Sequence, residues 1–228
     1  TIKNTVNVTI EFTLGNRYKV NEIRVEKAGL GKDLVEEELV KEVAAIKTDS
    51  YYSFFDIQKA QVRLYRTNLF NSAVITGIVS DTSGNKVPLN IFTDIGLLHE
   101  LAPEIIINNE DNVFNLGFGL GYTRKNFLGG ARKLTLSTSA AAQSITEFIT
   151  HPSINDTTVY GYTDVRAILE QPFVFGQPIN TKLENYLTIQ KRKAEYNATL
   201  YGAKLSLNFE LPRKVFLTSF TTYLNWEH

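Results

Sequence analysis

The side chains that most often perform chemistry are few in this sequence and lie far apart. The 228 residues include no cysteine and three histidines, His99, His151 and His228. A zinc site needs several such ligands close together, and these histidines show no ligand spacing. The lack of cysteine excludes disulfides, iron–sulfur clusters and thiol nucleophiles. No nucleophile elbow is present either. We therefore expect no enzyme, no metal site and no cofactor.

Three glycines at alternate positions, Gly117, Gly119 and Gly121, superficially resemble a phosphate-binding loop. Such a loop requires a strand, then the glycines, then a helix. Here the glycines lie inside a strand pattern and another strand follows. We interpret them as positions where the sheet bends or leaves space on one face.

Net charge and hydropathy bear on two further classes, proteins that bind polyanions and proteins with transmembrane helices. The 24 basic and 24 acidic residues cancel, so net charge gives no argument for a nucleic-acid partner or for anionic lipid. No apolar run is long enough for a transmembrane helix. The sequence does not begin with Met and shows no signal peptide, so we expect it to be part of a longer, processed protein.

From about residue 98 onward, apolar and polar residues alternate in segments separated by turns. Strands of about ten residues with one apolar face are typical of membrane β-barrels. Lipid offers no hydrogen bonds, so a spanning sheet must pair its backbone fully and turn apolar side chains outward. The side chains predicted to face lipid are Leu116, Phe118, Leu120, Tyr122, Leu205, Leu207 and Phe209.

The alternation predicts seven strands in this half of the chain. They cover residues 101–108, 114–124, 132–146, 162–171, 179–192, 196–211 and 215–226. Bacterial barrels usually have an even number of strands, eight or more. We therefore expect residues 98–228 to form only the first part of an antiparallel up-and-down transmembrane barrel. The longest connection, near 147–161, is expected on the outer side.

The first half predicts a small α+β domain with the order β-α-α-β-β. Asp33 and Ser53 are the expected N-caps of its two helices. We place this domain at residues 15–97. Residues 5–14 alternate as one more strand, so residues 1–14 are interpreted as the last strand of a preceding domain.

Two segments resemble the Omp85 superfamily. The α+β domain is similar to a POTRA module in residues 15–23, GNRYKVNEI, in its helix pair, and in residues 60–74, AQVRLYRTNLFNSAV. Residues 117–134, GFGLGYTRKNFLGGARKL, look like the start of the family's D15-type surface-antigen barrel. The two segments occur in the family's order and together cover nearly the whole chain. The family's Arg-Gly-Phe-type motif of a late barrel loop is absent.

The resemblance implies a protein of the bacterial outer membrane with POTRA domains in the periplasm. Members of the BamA and TamA branches insert and fold other barrels without nucleotide or metal. The implied partners are unfolded outer-membrane protein clients, outer-membrane lipid, periplasmic chaperones and accessory assembly subunits. Two alternatives stay open: a two-partner-secretion translocator, and a structural or adhesive surface protein.

The resemblance also suggests two sites for strand pairing, which works through backbone hydrogen bonds. The first barrel strand is the expected lateral gate, where it would pair weakly with the last strand; its residues are Glu104, Ile105, Ile106, Ile107 and Asn108. The alternative is an ordinary closed seam. The second site is a POTRA strand edge open to augmentation, or else a covered edge; its residues are Ala73, Val74, Ile75 and Thr76.

Overall fold

The computed structural model describes residues 9–11, 15–110, 113–151, 158–174, 177–192, 196–211, 216 and 219–228. Within these ranges the chain forms two β-sheets, one of three strands and one of seven. In the same ranges, no helix is both long and apolar enough to cross a membrane. The strand predicted at 5–14 lies outside the described residues except for 9–11, which carry no regular structure.

The first unit has the element order β-α-α-β-β. It consists of β1 (Lys19–Ala28), α1 (Glu37–Ala44), α2 (Phe54–Arg66), β2 (Phe70–Gly77) and β3 (Lys86–Ile95). The central strand β3 runs parallel to β1 and antiparallel to β2. In the described sheet β2 is therefore an edge strand.

The core of this unit lies between the sheet and the two helices. Ile57, Ala60 and Leu64 recur at helical spacing on α2 and are buried. Leu89 and Ile91 alternate on β3 and are fully buried against them. Each such side chain contributes roughly 1.5 to 3 kcal/mol by leaving water, so this interleaving is what holds the helices on the sheet.

The two helix starts turned out differently. The Ser53 hydroxyl accepts a hydrogen bond from the amide of Asp56 at 3.3 Å, as predicted. The Asp33 prediction is wrong, because this residue lies in a short 3-10 turn, Lys32–Leu34, and α1 begins only after Glu36. The intervening Val35 is extended and buried in the core. Its packing requires a non-helical backbone there and so delays the helix.

The second unit is a seven-stranded antiparallel meander, which confirms the predicted up-and-down strand order; the transmembrane barrel stays a prediction. Its strands are β4 (His99–Glu110), β5 (Val113–Arg124), β6 (Lys133–Ala142), β7 (Tyr160–Gln171), β8 (Ile179–Arg192), β9 (Asn197–Glu210) and β10 (Ser219–Glu227). Each strand pairs with its neighbours in sequence, so β4 and β10 are the two edges of the described sheet.

One helix was missed in the sequence. Residues 132–146 were predicted as one strand, but β6 ends at Ala142 and the short helix α3 (Ile145–Thr150) follows. The Ser144 hydroxyl accepts a hydrogen bond from the Glu147 amide at 3.3 Å. This spacing repeats that of Ser53 and Asp56, so the capping signal was present in the sequence.

The connections of the meander differ at its two ends. The segments 125–132, 172–178 and 211–218 join strands at one end, whereas the longest connection, 143–159, contains α3 and lies at the other. Residues 96–98 lead from β3 directly into β4. Two further connections lie at the α3 end, 111–112 and 193–196, and both are short. The α+β unit therefore lies at the end of the sheet opposite the longest connection.

Candidate functional site

The seven-stranded sheet has one apolar face and one polar face. Strand register places Ile105, Phe118 and Ala140 side by side on one face, and Glu104, Gly119 and Ser139 side by side on the other. We call these the apolar face and the polar face. All the side chains predicted to face lipid lie on the apolar face: Leu116, Phe118, Leu120, Tyr122, Leu205, Leu207 and Phe209.

Charged residues of the strands are segregated between these faces. Following the pairing from strand to strand, Arg124 and Lys191 are the charged side chains of β4–β10 whose register places them on the apolar face, and both lie at strand ends. Large apolar side chains there are open to the surroundings; Phe118 is 58% exposed and Ile105 73% exposed. The middle of this face is thus an uncharged, uncovered apolar band.

Aromatic side chains mark both ends of that band. Tyr201 and Trp226 stack edge to face, with ring centroids 5.4 Å apart, near the end that carries α3. Phe209 and Phe220 lie 6.1 Å apart near the opposite end. Aromatic pairs at the two ends of an apolar band are typical of strands that cross both interfaces of a bilayer.

The polar face carries a network of ion pairs across β7 and β8. Arg166 donates to Asp164 at 2.7 Å and to Glu184 at 3.3 Å. Lys182 pairs with Glu184 at 3.1 Å, and the Thr188 hydroxyl donates to Asp164 at 2.6 Å. Because these groups satisfy one another, the network holds two strands in register and leaves no obvious nucleophile or base unengaged.

The predicted gate strand lies at one edge of the sheet. Along β4, Glu104, Ile106 and Asn108 point to the polar face, while Ile105 and Ile107 point to the apolar face. β5 is its one neighbouring strand in the described part of the sheet. The location suits a gate; its opening stays a prediction.

Backbone directions refine that prediction. The Lys125 amide donates to the Leu98 carbonyl at 2.7 Å, so residues 98 and 125 form a hydrogen-bonded pair. Hydrogen-bonded and non-bonded pairs alternate along an antiparallel ladder. Even-numbered residues of β4 therefore bond to β5, and odd-numbered ones direct their backbone to the free edge. The backbone groups of Ile105 and Ile107 therefore lie at the free edge. Pro103 lies at the same edge and has no amide hydrogen to donate.

The predicted augmentation strand is also an edge. Ala73 and Ile75 of β2 are buried against the helices, and Val74 is exposed on the opposite side of the sheet. The Ala73 amide donates to the Tyr65 hydroxyl at 3.2 Å, and its carbonyl accepts from the Gln61 side chain at 3.0 Å. This edge is therefore partly covered by α2.

Two connections of the meander and the end of β9 contact the α+β unit. Phe173, between β7 and β8, and Ala131, between β5 and β6, are buried in the same hydrophobic cluster as the helix side chains. Glu210, at the end of β9, accepts from Arg63 at 3.1 Å and from Arg66 at 3.2 Å. We call Arg63, Arg66 and Glu210 the interdomain clamp.

The Arg63–Glu210 pair of the clamp is shielded from water, whereas the Arg66 side chain is 51% exposed. The side chains of Arg63 and Glu210 are each 17% exposed, and one carboxylate receives both guanidinium groups. Arg63 also donates to the carbonyl of Ala44 at the end of α1, at 3.1 Å. Sequence reasoning gave no signal for this contact, because its partners are 144 to 147 residues apart.

The residues considered for metal or nucleophile chemistry are dispersed. His99 contacts the Tyr122 hydroxyl at 2.7 Å, His151 lies against the carbonyl of Glu147 at 3.1 Å, and His228 stacks on Tyr201. Among the described residues, no group of three or more His, Cys, Asp or Glu side chains is placed to hold a metal ion.

Comparison with known proteins gives a structural likeness only. No protein-family model matches the sequence, and no curated protein matches it. The chain superposes on BamA from Haemophilus ducreyi lacking POTRA domains 1–3 with a TM-score of 0.57 and 17% identity. That match covers 93% of this chain and 36% of the BamA chain.

Two CdiB structures are more distant. CdiB from Acinetobacter baumannii gives a TM-score of 0.45 at 10% identity, over 93% of this chain and 46% of that one. CdiB from Escherichia coli gives 0.34 at 10% identity, over 97% and 54%. Both scores are too low to support an argument. The conclusion is that the chain shares its fold with the matched 36% of the Haemophilus ducreyi BamA structure.

Proposed function

We propose that this chain is part of an Omp85-superfamily protein of the bacterial outer membrane. On this proposal β4–β10 are the first strands of a transmembrane barrel, and the α+β unit is a POTRA domain in the periplasm. The two-faced sheet and the fold shared with BamA support it. At 17% identity the likeness to BamA shows a shared fold alone. The proposed location and activity are therefore argued from the geometry of the sheet.

The apolar face of the sheet is stable only in apolar surroundings. An exposed apolar surface extending over several strands would cause aggregation in water. In a bilayer it is satisfied, provided that charges stay away from the hydrocarbon. The register leaves Arg124 and Lys191 as charges on that face, both at strand ends. The polar face would then line a wet lumen.

The connections of the sheet and the α+β unit favour one orientation of the chain across the membrane. Outer-membrane barrels have short periplasmic turns and longer outer loops. The longest connection, 143–159, lies at the end opposite the α+β unit, and the unit contacts the other end through Phe173, Ala131 and the interdomain clamp. We therefore propose that the unit lies on the periplasmic side and α3 on the outer side.

The proposed activity is the insertion and folding of other β-barrel proteins. The observation that carries it is the backbone direction of β4, in which Ile105 and Ile107 turn their amide and carbonyl groups away from β5, the side on which the first strand of a barrel meets the last. A client strand could pair there through backbone hydrogen bonds alone. Such a reaction makes no covalent bond and needs no cofactor.

Depletion of the complete protein in its own cell tests the activity. An assembly factor predicts that many unrelated barrel proteins fall together in the outer membrane, while their synthesis continues. A two-partner-secretion translocator predicts that one secreted partner is lost and barrel levels hold. A structural or adhesive role predicts that neither changes, and either of the latter two results contradicts the proposal.

A further inference from the structure

The free edge of β2 has a defined set of outward-facing backbone groups. The Ile78 amide donates to the Pro88 carbonyl at 2.8 Å, so residues 78 and 88 are a hydrogen-bonded pair. By the alternation of an antiparallel ladder, residues 72, 74 and 76 bond to β3. Ala73, Ile75 and Gly77 therefore turn their amide and carbonyl groups to the open side.

Helix α2 occupies the first of these positions. The Tyr65 hydroxyl accepts the Ala73 amide at 3.2 Å, and the Gln61 side-chain amide donates to the Ala73 carbonyl at 3.0 Å. Gln61 and Tyr65 are one helical turn apart, so both reach the same point of the edge. Together they make the two hydrogen bonds that an added strand would make to Ala73.

An apolar groove lies beside this point. It has a volume of about 440 Å³ and is lined by Phe55, Val62 and Tyr65, with Lys59 and Arg66 among its polar neighbours. A strand added to β2 would turn every second side chain toward α2. The groove thus suits the alternating apolar side chains of a barrel strand better than it suits a polar loop.

We propose that Gln61 and Tyr65 form a removable cap on the β2 edge, which an unfolded barrel strand must displace before it can bind. This inference rests on the proposed role of β2 in strand augmentation and adds its regulation. Tyr65 is 45% exposed, so its hydroxyl can turn to water when it leaves Ala73. The cap satisfies the backbone groups of Ala73 when no client is present and so discourages pairing between copies at that point of the edge.

The experiment uses the full chain in detergent and a labelled synthetic peptide with the sequence of β9, residues 197–210. Tyr65→Phe and Gln61→Ala each remove one cap contact. Gln58→Ala is the matched control, because Gln58 lines the same groove and its side chain makes no hydrogen bond within the described residues. Fluorescence anisotropy measures affinity, and hydrogen exchange of residues 70–77 reports where the peptide binds.

Removing one neutral hydrogen bond from the competing state should tighten peptide binding roughly fivefold in each cap variant. Without peptide, Tyr65→Phe should speed exchange of the Ala73 amide. Gln58→Ala should behave as the unchanged chain does. Unchanged or weaker binding by the cap variants, with the peptide still protecting residues 70–77, overturns the cap but leaves augmentation intact. No protection of residues 70–77 in any variant overturns the augmentation role and the cap with it.

Discussion

At the scale of single residues, Pro103 has the clearest consequence for the proposed gate. It lies on β4 opposite Leu120, at a position whose backbone turns toward the free edge. Proline there removes no hydrogen bond to β5, because that side of the residue is not bonded to β5. It does remove one donor from the free edge of β4, so a strand that pairs there receives one hydrogen bond fewer. The gate is thereby weakened at its end nearest the α+β unit.

Replacing Pro103 with alanine should strengthen the seam, because one amide donor is restored. We expect the rate at which the complete protein folds a reporter barrel into lipid vesicles to fall roughly fivefold, the value of one neutral hydrogen bond. Leu101→Ala is the control, since it changes a side chain on the same strand and leaves the donors unchanged. Equal rates for Pro103→Ala and the unchanged protein would contradict this role.

At the scale of elements, sequence patterns predicted the strands of the sheet well, because the alternation within each strand depends only on what its own two faces contact. The alternation around Phe118 needs no knowledge of its partners, and strands β4–β10 appear in the predicted order. Local capping was equally visible at Ser53. The prediction of Asp33 as an N-cap was wrong because Val35 is buried in the tertiary core, and local sequence does not show that burial. The interdomain clamp could not be predicted, since nothing in the sequence around Arg63 points to Glu210.

The interdomain clamp yields a prediction about coupling between the two units. Glu210→Gln should leave Arg63 and Arg66 with a neutral partner and weaken the contact by about 1.5 to 3 kcal/mol, the range for hydrogen bonds to charged groups. Spin labels at Gln58 on α2 and at Leu128 between β5 and β6 should then show a broader distance distribution. Leu128 is 75% exposed and suits a label.

Glu170→Gln is the matched control for that experiment. Glu170 also pairs with a basic residue, Lys133 at 2.9 Å, but it does so within the seven-stranded sheet. The control should therefore leave the distance distribution narrow. Identical distributions for Glu210→Gln and the unchanged chain would show that the buried contacts of Phe173 and Ala131 hold the units together without the clamp.

At the scale of the whole molecule, the two faces of the large sheet decide where the protein can reside. The apolar face exposes side chains such as Phe118, and strand charges are kept to the polar face or to strand ends. The proposal that lipid covers the apolar face and water the polar face accounts for this segregation.

A charge placed on either face distinguishes lipid from water. Phe118→Arg should destabilise the folded protein in lipid vesicles by about 2 to 4 kcal/mol if it faces hydrocarbon. Ser139→Arg lies one row away on the polar face, next to Asp164, and should cost little. Denaturant unfolding monitored by tryptophan fluorescence measures both. Equal effects for the two variants would contradict the proposed lipid face.

Site-specific cross-linking can detect the proposed pairing of client strands with the edge of β4. The sequence contains no cysteine, so one can be introduced cleanly. Glu104→Cys on the edge strand and Ser139→Cys on the interior strand β6 lie in one row of the polar face. An unfolded barrel client with one cysteine in its terminal strand is then presented to each variant of the complete protein under oxidising conditions. We expect a disulfide-linked complex at position 104 and none at position 139. Equal yields at the two positions, or no complex at position 104, would contradict the proposed pairing.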